Sequence, residues 1–374
     1  MMPIRVLHVI HSLDGGGAER QLTLLANASA AHGMTAAVAC VNDAGQERLV
    51  PQVGVFRIRR RRRLDHRVLL DVTAAIDRFR PGIVHAWLPA VVTVPAMLAA
   101  TLRRVPVLFS YRMAMRHDAP LKPIEWLVAS ACATGVLSNT DPAWCTRSYR
   151  WLYRRKRGLC IANGVEPNAV ATNCRARHAH AGPLELLFAG RLSTQKNWPR
   201  LLDAMAALKS STDVRLTVYG RGEQQAQVEQ RIADLGLQDC VTMAGYQSNL
   251  RELMPHFDAL VMPSLWEGMP NVVLEAMAAG LPCVLSDIPE HRKVCGAAGV
   301  ALFFDVESSS QLADAVRALA ASPERRRAMS DAGISRSESF SVASMVSRHA
   351  EAYRAMLAAS GATLSALDQP AAGR

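Results

Sequence analysis

Short apolar runs alternate with amphipathic stretches along this chain, and the alternation starts afresh half-way. In the first half Ile4–Val9, Thr35–Val41, Gly54–Ile58, Ile83–Ala86, Val105–Ser110 and Gly135–Ser138 read as buried strands. Helical segments lie between them, among them Ala18–Ala31, where Leu22, Leu25 and Ala26 share a face and Gly33 closes the helix. In the second half Leu184–Ala189, Val214–Tyr219, Cys240–Met243, Ala259–Met262 and Cys283–Leu285 repeat the strand signal, with helices at Trp198–Leu208 and Gln224–Leu235. Strands separated by helices of about ten to fifteen residues predict parallel, doubly wound sheets. Ile161–Val165 and Cys174–Pro183 are polar and carry turn residues, so they read as a linker. The expectation is an α/β protein of two similar domains, 1–173 and 174–340. A last helix, Val342–Ala359, and a frayed tail, Leu364–Arg374, make up 341–374.

At 374 residues each half can bury its own core, and a chain that is 50% apolar and 20% charged is neither disordered nor fibrous. The eight cysteines are scattered, with no CxxC pair, which predicts neither a structural zinc nor a disulfide framework and suits a reducing cytoplasm. Met1 to His11 alternates like a strand and shows no export signal. The longest apolar stretch, Ala86–Leu102, is interrupted by Pro89 and Pro95 and falls short of the roughly 20 residues a bilayer requires. A cytoplasmic chain, soluble or peripheral on the inner face of the membrane, is expected.

Charge is unevenly divided. Residues 1–182 hold 25 Lys+Arg against 11 Asp+Glu, whereas residues 183–374 hold 18 against 21. Much of the excess lies in Arg59–Arg63 and in Arg147, Arg150, Arg154, Arg155, Lys156 and Arg157, the latter interleaved with Tyr149, Trp151, Leu152 and Tyr153. A solvated basic face is the plainest explanation. Aromatic residues among cations favour an anionic membrane surface or an acidic lipid-linked substrate. No nucleic-acid motif accompanies the charge, so nucleic acid is not expected as a partner.

The strongest local signal runs from Ser264 to Pro282: a strand, a Gly/Pro turn through Glu267, Gly268, Met269 and Pro270, and a helix from about Asn271 that Gly280 and Pro282 stop. Its N-terminal amides offer an anion site suited to a diphosphate. Glu267 in the loop and Glu275 one turn into the helix suit neutral hydroxyl donors of a sugar and a ribose. Glu275 sits in an apolar run and would otherwise be half-buried without a partner. A second signal, Phe188 to Asn197, follows the first strand of the second half. There Arg191 and Lys196 supply a two-cation clamp next to a helix that Asn197 could cap.

With Asp14-Gly-Gly-Gly-Ala-Glu-Arg20, these stretches resemble the retaining, nucleotide-sugar-dependent glycosyltransferases of family 4 (group 1). The matching pieces are Glu267-x7-Glu275, Gly190-Arg191-Leu192…Lys196, the Gly16-Gly17 turn and Asn163-Gly164-Val165. The resemblance spans about Ile4 to Phe340 and implies two Rossmann-like domains facing across a cleft, the GT-B fold. The first would bind the acceptor and the second the donor, with the final helix crossing back to the first. By that resemblance Arg191 and Lys196 bind the donor diphosphate and stabilise its departing charge. Glu267 and the Gly268, Met269, Pro270, Asn271 backbone hold the donor sugar, and Glu275 the ribose. Gly16 and Gly17 let the N-terminal backbone approach the reacting centre without a Cβ clash, Gly190 belongs to the donor-binding stretch, and the Tyr219-Gly220-Arg221-Gly222 turn borders the base. His85 and Arg112 become acceptor contacts. Many relatives carry His-x-His where this chain has His85-Ala86-Trp87. Retention by front-face substitution with no metal is implied, and the sequence has no Asp-x-Asp. A uridine nucleotide sugar as donor and a lipid-diphosphate-linked saccharide in surface-glycan assembly as acceptor follow from the same resemblance. A nucleotide-sugar epimerase or phosphorylase on this architecture, or a non-catalytic binding protein, are the alternatives.

Overall fold

The computed structural model describes residues 3–41, 49, 51–60, 65–89, 92–112, 122–141, 147–167, 182–296 and 299–360. Arg61–Arg63 of the first basic cluster, residues 174–181 of the expected linker and the tail Leu364–Arg374 lie outside them. In chain order the strands are β1 (Ile4–Ile10), β2 (Met34–Cys40), β3 (Gly54–Arg57), β4 (Ile83–Trp87), β5 (Val107–Tyr111), β6 (Gly135–Ser138) and β7 (Arg157–Cys160). Then come β8 (Leu184–Ala189), β9 (Val214–Tyr219), β10 (Val241–Gly245), β11 (Ala259–Met262), β12 (Cys283–Ser286) and β13 (Ala301–Phe304). They form two sheets, β3-β2-β1-β4-β5-β6-β7 and β10-β9-β8-β11-β12-β13. Every pairing is parallel. Parallel neighbours need a crossover, and helices on both faces bury the inner strands, which is why β1, β4, β5, β8, β11 and β12 are buried along almost their whole length.

The chain divides into two compact units, Met1–Gly164 with Val342–Arg374, and Val165–Ser341. In the first unit alternate residues of β1 serve opposite faces. Leu7 and Val9 meet Val72, Ala96, Ala129 and Leu152 from the helices Arg67–Phe79, Thr93–Leu102, Pro123–Cys132 and Arg147–Arg155. Ile4, Val6 and Ile10 face Leu22 and Leu25 of the helix Gly17–Ala28 and Val346, Tyr353 and Met356 of the helix Val342–Ser360. The second unit has one continuous core. Its helices Trp198–Leu208 and Ser309–Ala320 pack together, as do Asn271–Ala279 and Pro323–Glu338.

Two local expectations are corrected, and a third stretch is firmer than its composition suggests. The division between the units falls at Gly164 and Val165, inside the expected linker Ile161–Val165, yet this stretch is held. Gln21 brackets Gly164 by donating to its carbonyl at 2.9 Å and accepting from its amide at 2.8 Å, and Asn163 is buried. Asn197 and Asn271 do not cap their helices. Asn197 takes a left-handed backbone (φ 47°) and its side chain donates to the Val306 carbonyl, while Pro270 occupies the cap before Asn271. Of the aromatic and apolar residues of Arg147–Arg155, Tyr149 and Leu152 are core residues and Trp151 alone is exposed. The apolar stretch Ala86–Leu102 is split between the end of β4 and a separate helix, and no helix among the described residues is long and apolar enough to cross a membrane.

Candidate functional site

Strand order reverses between β8 and β11 in the second unit, and loops leaving two such strands diverge to open a crevice at their carboxyl ends. The loop after β8 carries Gly190 to Lys196, and the loop after β11 carries Ser264 to Pro270. They are tied to each other. Leu265 N–H donates to the Gln195 carbonyl at 2.8 Å, and the Gln195 side-chain amide donates to the Trp266 carbonyl at 2.9 Å. That lacing brings Lys196 Nζ to 2.5 Å from Glu267 Oε1. The Ser264 hydroxyl donates to the same oxygen at 2.8 Å. Burial pushes the Glu267 carboxyl up, but the Lys196 charge and the two hydrogen bonds outweigh it, so it stays below the ordinary carboxylate range.

Both donors converge on Oε1, and among the described residues Oε2 makes no hydrogen bond. A second uncommitted acceptor lies close by and was not singled out from the sequence. His291, on the helix Pro289–Cys295 that follows β12, is fully buried. Its Nδ1–H donates to the Ser286 carbonyl at 2.9 Å, and Ser286 Oγ in turn donates to the Ser264 carbonyl at 2.6 Å. This leaves His291 Nε2 buried with no hydrogen-bond partner among the described residues. Burial, partly offset by Glu267, pushes the His291 pKa down to about 4, so the ring is neutral at pH 7 and Nε2 presents a lone pair. A buried His three residues into a Pro-initiated helix after a strand looks structural in a sequence, and only the fold reveals its neighbours.

Glycines set the backbone here. A Cβ on Gly220 would lie 1.8 Å from the Gly190 carbonyl oxygen, at a φ of 152° that favours glycine. The β8 and β9 loops are thus locked together, with Leu192 N–H donating to the Arg221 carbonyl at 3.0 Å. Gly220→Ala is expected to cost about 3 kcal/mol or more and to lower the melting temperature and ligand affinity together, read by thermal unfolding with and without nucleotide. Arg191 is exposed on the same loop, and Gly268 and Met269 are half-buried. The helix from Asn271 directs its positive end at this loop, and Glu275 is buried one turn in. Nine of the expected donor residues therefore sit on the loops and helix start after β8 and β11, with Gly220 after β9. Gly16, the eleventh, lies in the other unit.

In the first unit the order reverses between β1 and β4. Gly16 precedes and Gly17 opens the helix after β1. A Cβ on Gly16 would meet only the movable end of Glu19. His85 and Arg112, expected at an acceptor, are interior residues. His85 has both ring nitrogens engaged, with the Tyr353 hydroxyl at 2.7 Å and Ser110 Oγ at 2.5 Å. Arg112 lies 4.1 Å over the Trp87 ring and donates to Asn163 Oδ1 at 3.0 Å. Trp87, fully buried, donates to His8 Nδ1 at 3.1 Å, so it fills the core position rather than presenting a polar group to a ligand.

Residues 172–336 match the family model described as glycosyl transferases group 1, and residues 15–167 match glycosyltransferase family 4. The chain belongs to the family 4, group 1 glycosyltransferases. The putative glycosyltransferase EpsF of Bacillus subtilis is 34% identical over 141 residues, which is 36% of this chain and 37% of that relative. The chain thus spans little more than a third of EpsF. The Escherichia coli UDP-Gal:alpha-D-GlcNAc-diphosphoundecaprenol alpha-1,3-galactosyltransferase is 27% identical over 246 residues, 60% of this chain and 62% of the relative. The crystal structure of Anabaena Alr3699/HepE in complex with UDP and glucose superposes with a TM-score of 0.77 at 19% identity, covering 94% of this chain and 99% of that one. The fold of this family 4 member is accordingly GT-B.

Proposed function

We propose that the chain transfers a sugar from a nucleotide-diphosphate sugar to a saccharide acceptor, with retention and without a metal. One observation carries the reading: a Lys196–Glu267 pair, its carboxylate buried, stands between the loops that leave β8 and β11, with Glu267 Oε2 making no hydrogen bond and His291 Nε2 buried without a partner among the described residues. Two acceptor atoms in a dry wall suit the hydroxyls of a sugar, which are neutral donors. A cation on the same wall suits the diphosphate, whose charge grows as the glycosidic bond breaks. Lys196 and the exposed Arg191, assisted by the helix start at Asn271, take that charge. Glu267 and His291 hold the sugar, and Glu275 the ribose. Lys196 and Arg191 supply the positive charge that a metal brings elsewhere, so the transfer runs in excess EDTA.

A uridine nucleotide is the favoured donor, supported by the UDP complexes of the structural neighbour and the printed donor of the E. coli relative. That relative's diphosphoundecaprenol-linked acceptor supports a lipid-linked acceptor in surface-glycan synthesis, placing this protein in the cytoplasm at the inner membrane face. The test is a thermal-shift panel of nucleotide sugars, followed by NMR of the anomeric configuration of the product formed in EDTA. A donor at a hundred times its dissociation constant stabilises by about 2.7 kcal/mol. No shift with any nucleoside diphosphate, or an inverted product, overturns the corresponding part of the reading.

A further inference from the structure

Among the described residues, the large apolar side chains that are exposed are Leu70, Leu98, Leu102, Ile124, Leu127 and Trp151, at 38% to 69% of their full exposure. All six belong to one layer: the helices Arg67–Phe79, Thr93–Leu102, Pro123–Cys132 and Arg147–Arg155, which cover the same face of the first sheet. Each helix packs against the next in that order. Leu98 and Leu102 are four residues apart and Ile124 and Leu127 three apart, so each pair lies side by side on its helix. Trp151 and Trp126 bridge the last two helices, with ring centroids 5.3 Å apart, and Arg155 stands over Trp151 at 5.7 Å. The second unit shows no exposed large apolar side chain among its described residues.

The same layer is strongly cationic. Residues 65–80, 93–104, 122–133 and 147–156 hold eleven Lys+Arg against four Asp+Glu. The acids are partly spent: Asp77 is bound by Arg103 at 2.7 Å, and buried Glu125 accepts from the Lys122 amide at its own helix start. Arg103, Arg104, Arg154 and Arg155 are exposed beside the leucines and Trp151.

We infer that this helical layer docks on an anionic lipid bilayer, inserting Leu98, Leu102, Ile124, Leu127 and Trp151 among the headgroups while the arginines bind lipid phosphates. Apolar side chains spread over four helices and ringed by cations match an interface that is apolar at depth and anionic at its surface. A second copy of the chain fits badly, because a two-fold contact would set eleven cations against eleven. Nucleic acid would use the arginines but leave the leucines without a role. The inference extends the lipid-linked acceptor proposed above and stands on different residues.

The full chain is floated with vesicles of phosphatidylglycerol and phosphatidylcholine, and with phosphatidylcholine alone. Binding is expected to the anionic vesicles in low salt and to fall steeply in 0.5 M salt. Arg154→Glu with Arg155→Glu, and separately Leu102→Ser with Trp151→Ala, each lower the partition at least about tenfold. The melting temperature and the shift produced by nucleotide sugar stay at wild-type values. Equal binding to neutral vesicles, no binding at all, wild-type binding by both variants, or a dimer that the variants dissolve overturns the docking face. The nucleotide-sugar shift reports the donor site independently, so the two readings fail separately.

Discussion

Lys196→Ala lowers kcat/KM for sugar transfer by about a hundred- to a thousandfold, the loss seen when a preorganised charge facing a developing anion is removed. The substitution also has a structural consequence, because Glu267 is then a buried carboxylate whose cation is gone. Breaking a buried pair from one side costs about 3–5 kcal/mol. The two effects separate in the double variant Lys196→Ala/Glu267→Gln, where the neutral amide still accepts from Ser264. Stability is expected to return in large part while activity stays low. Lys196→Arg keeps the charge, yet its planar fork does not reproduce a single-point contact at Oε1, so partial activity is expected. Steady-state rates and thermal unfolding of the three proteins decide it. Full activity of both Lys196→Ala and Glu275→Ala rejects the donor site as placed here.

The first unit loses stability steeply below about pH 6.5. His8, His85 and His349 lie around Arg112 in its interior, all fully buried. Burial, reinforced by the Arg112 charge, pushes His8 and His349 down to about 3, and burial with the neighbouring histidines holds His85 well below its usual range. Arg112 itself is pushed down to about 9 by burial, so it remains a cation at neutral pH. Tyr353 and Ser110 bond His85, and the Met345 carbonyl engages His349 Nδ1 at 2.8 Å. The sign follows from proton uptake. The unfolded chain binds protons at these histidines near pH 6.5, whereas the native state refuses them there, at His8 and His349 until about pH 3 and at His85 until well below the usual range. Stability is therefore complete above 6.5 and drains away as pH falls through that window. Each histidine contributes about 1.4 kcal/mol per pH unit, so three together remove a large part of a typical domain's stability by pH 5. Urea unfolding at pH 7.5, 6.5 and 5.5 measures the slope. A flat profile would show that the cluster admits protons in the native state.

The fold was largely legible because a parallel strand reads as a short apolar or alternating run between turn signals, and eleven strands were readable in that way. The two that escaped are four-residue strands at sheet edges. β7, Arg-Gly-Leu-Cys, has exposed ends and little apolar character, and β13, Ala-Leu-Phe-Phe, is a short apolar run between a glycine-rich turn and an acidic loop. In the site, Glu267 and Lys196 were readable because each sits at a strand end next to turn residues. Their mutual contact was not, since 71 residues separate them and only the β8–β11 adjacency joins their loops. His291 was hidden for the opposite reason: nothing local distinguishes a buried ligand-facing ring from a buried structural one. That His85 and Arg112 are interior was not legible, because strand ends point to a surface only when no later element covers them, and the helix Val342–Ser360 supplies Tyr353 and His349 to cover both.

That helix also fixes when the first unit can mature. Met345, Val346, Tyr353 and Met356 are core residues shared with β1, β2 and β4, yet the ribosome makes them only after the whole of Val165–Ser341. The half of the chain that emerges first must wait, with one face of its sheet covered only by the helix Gly17–Ala28, for the half that emerges second. Nascent chains stalled before Val342 should hold a finished second unit and an unfinished first one, the reverse of the order in which they were translated.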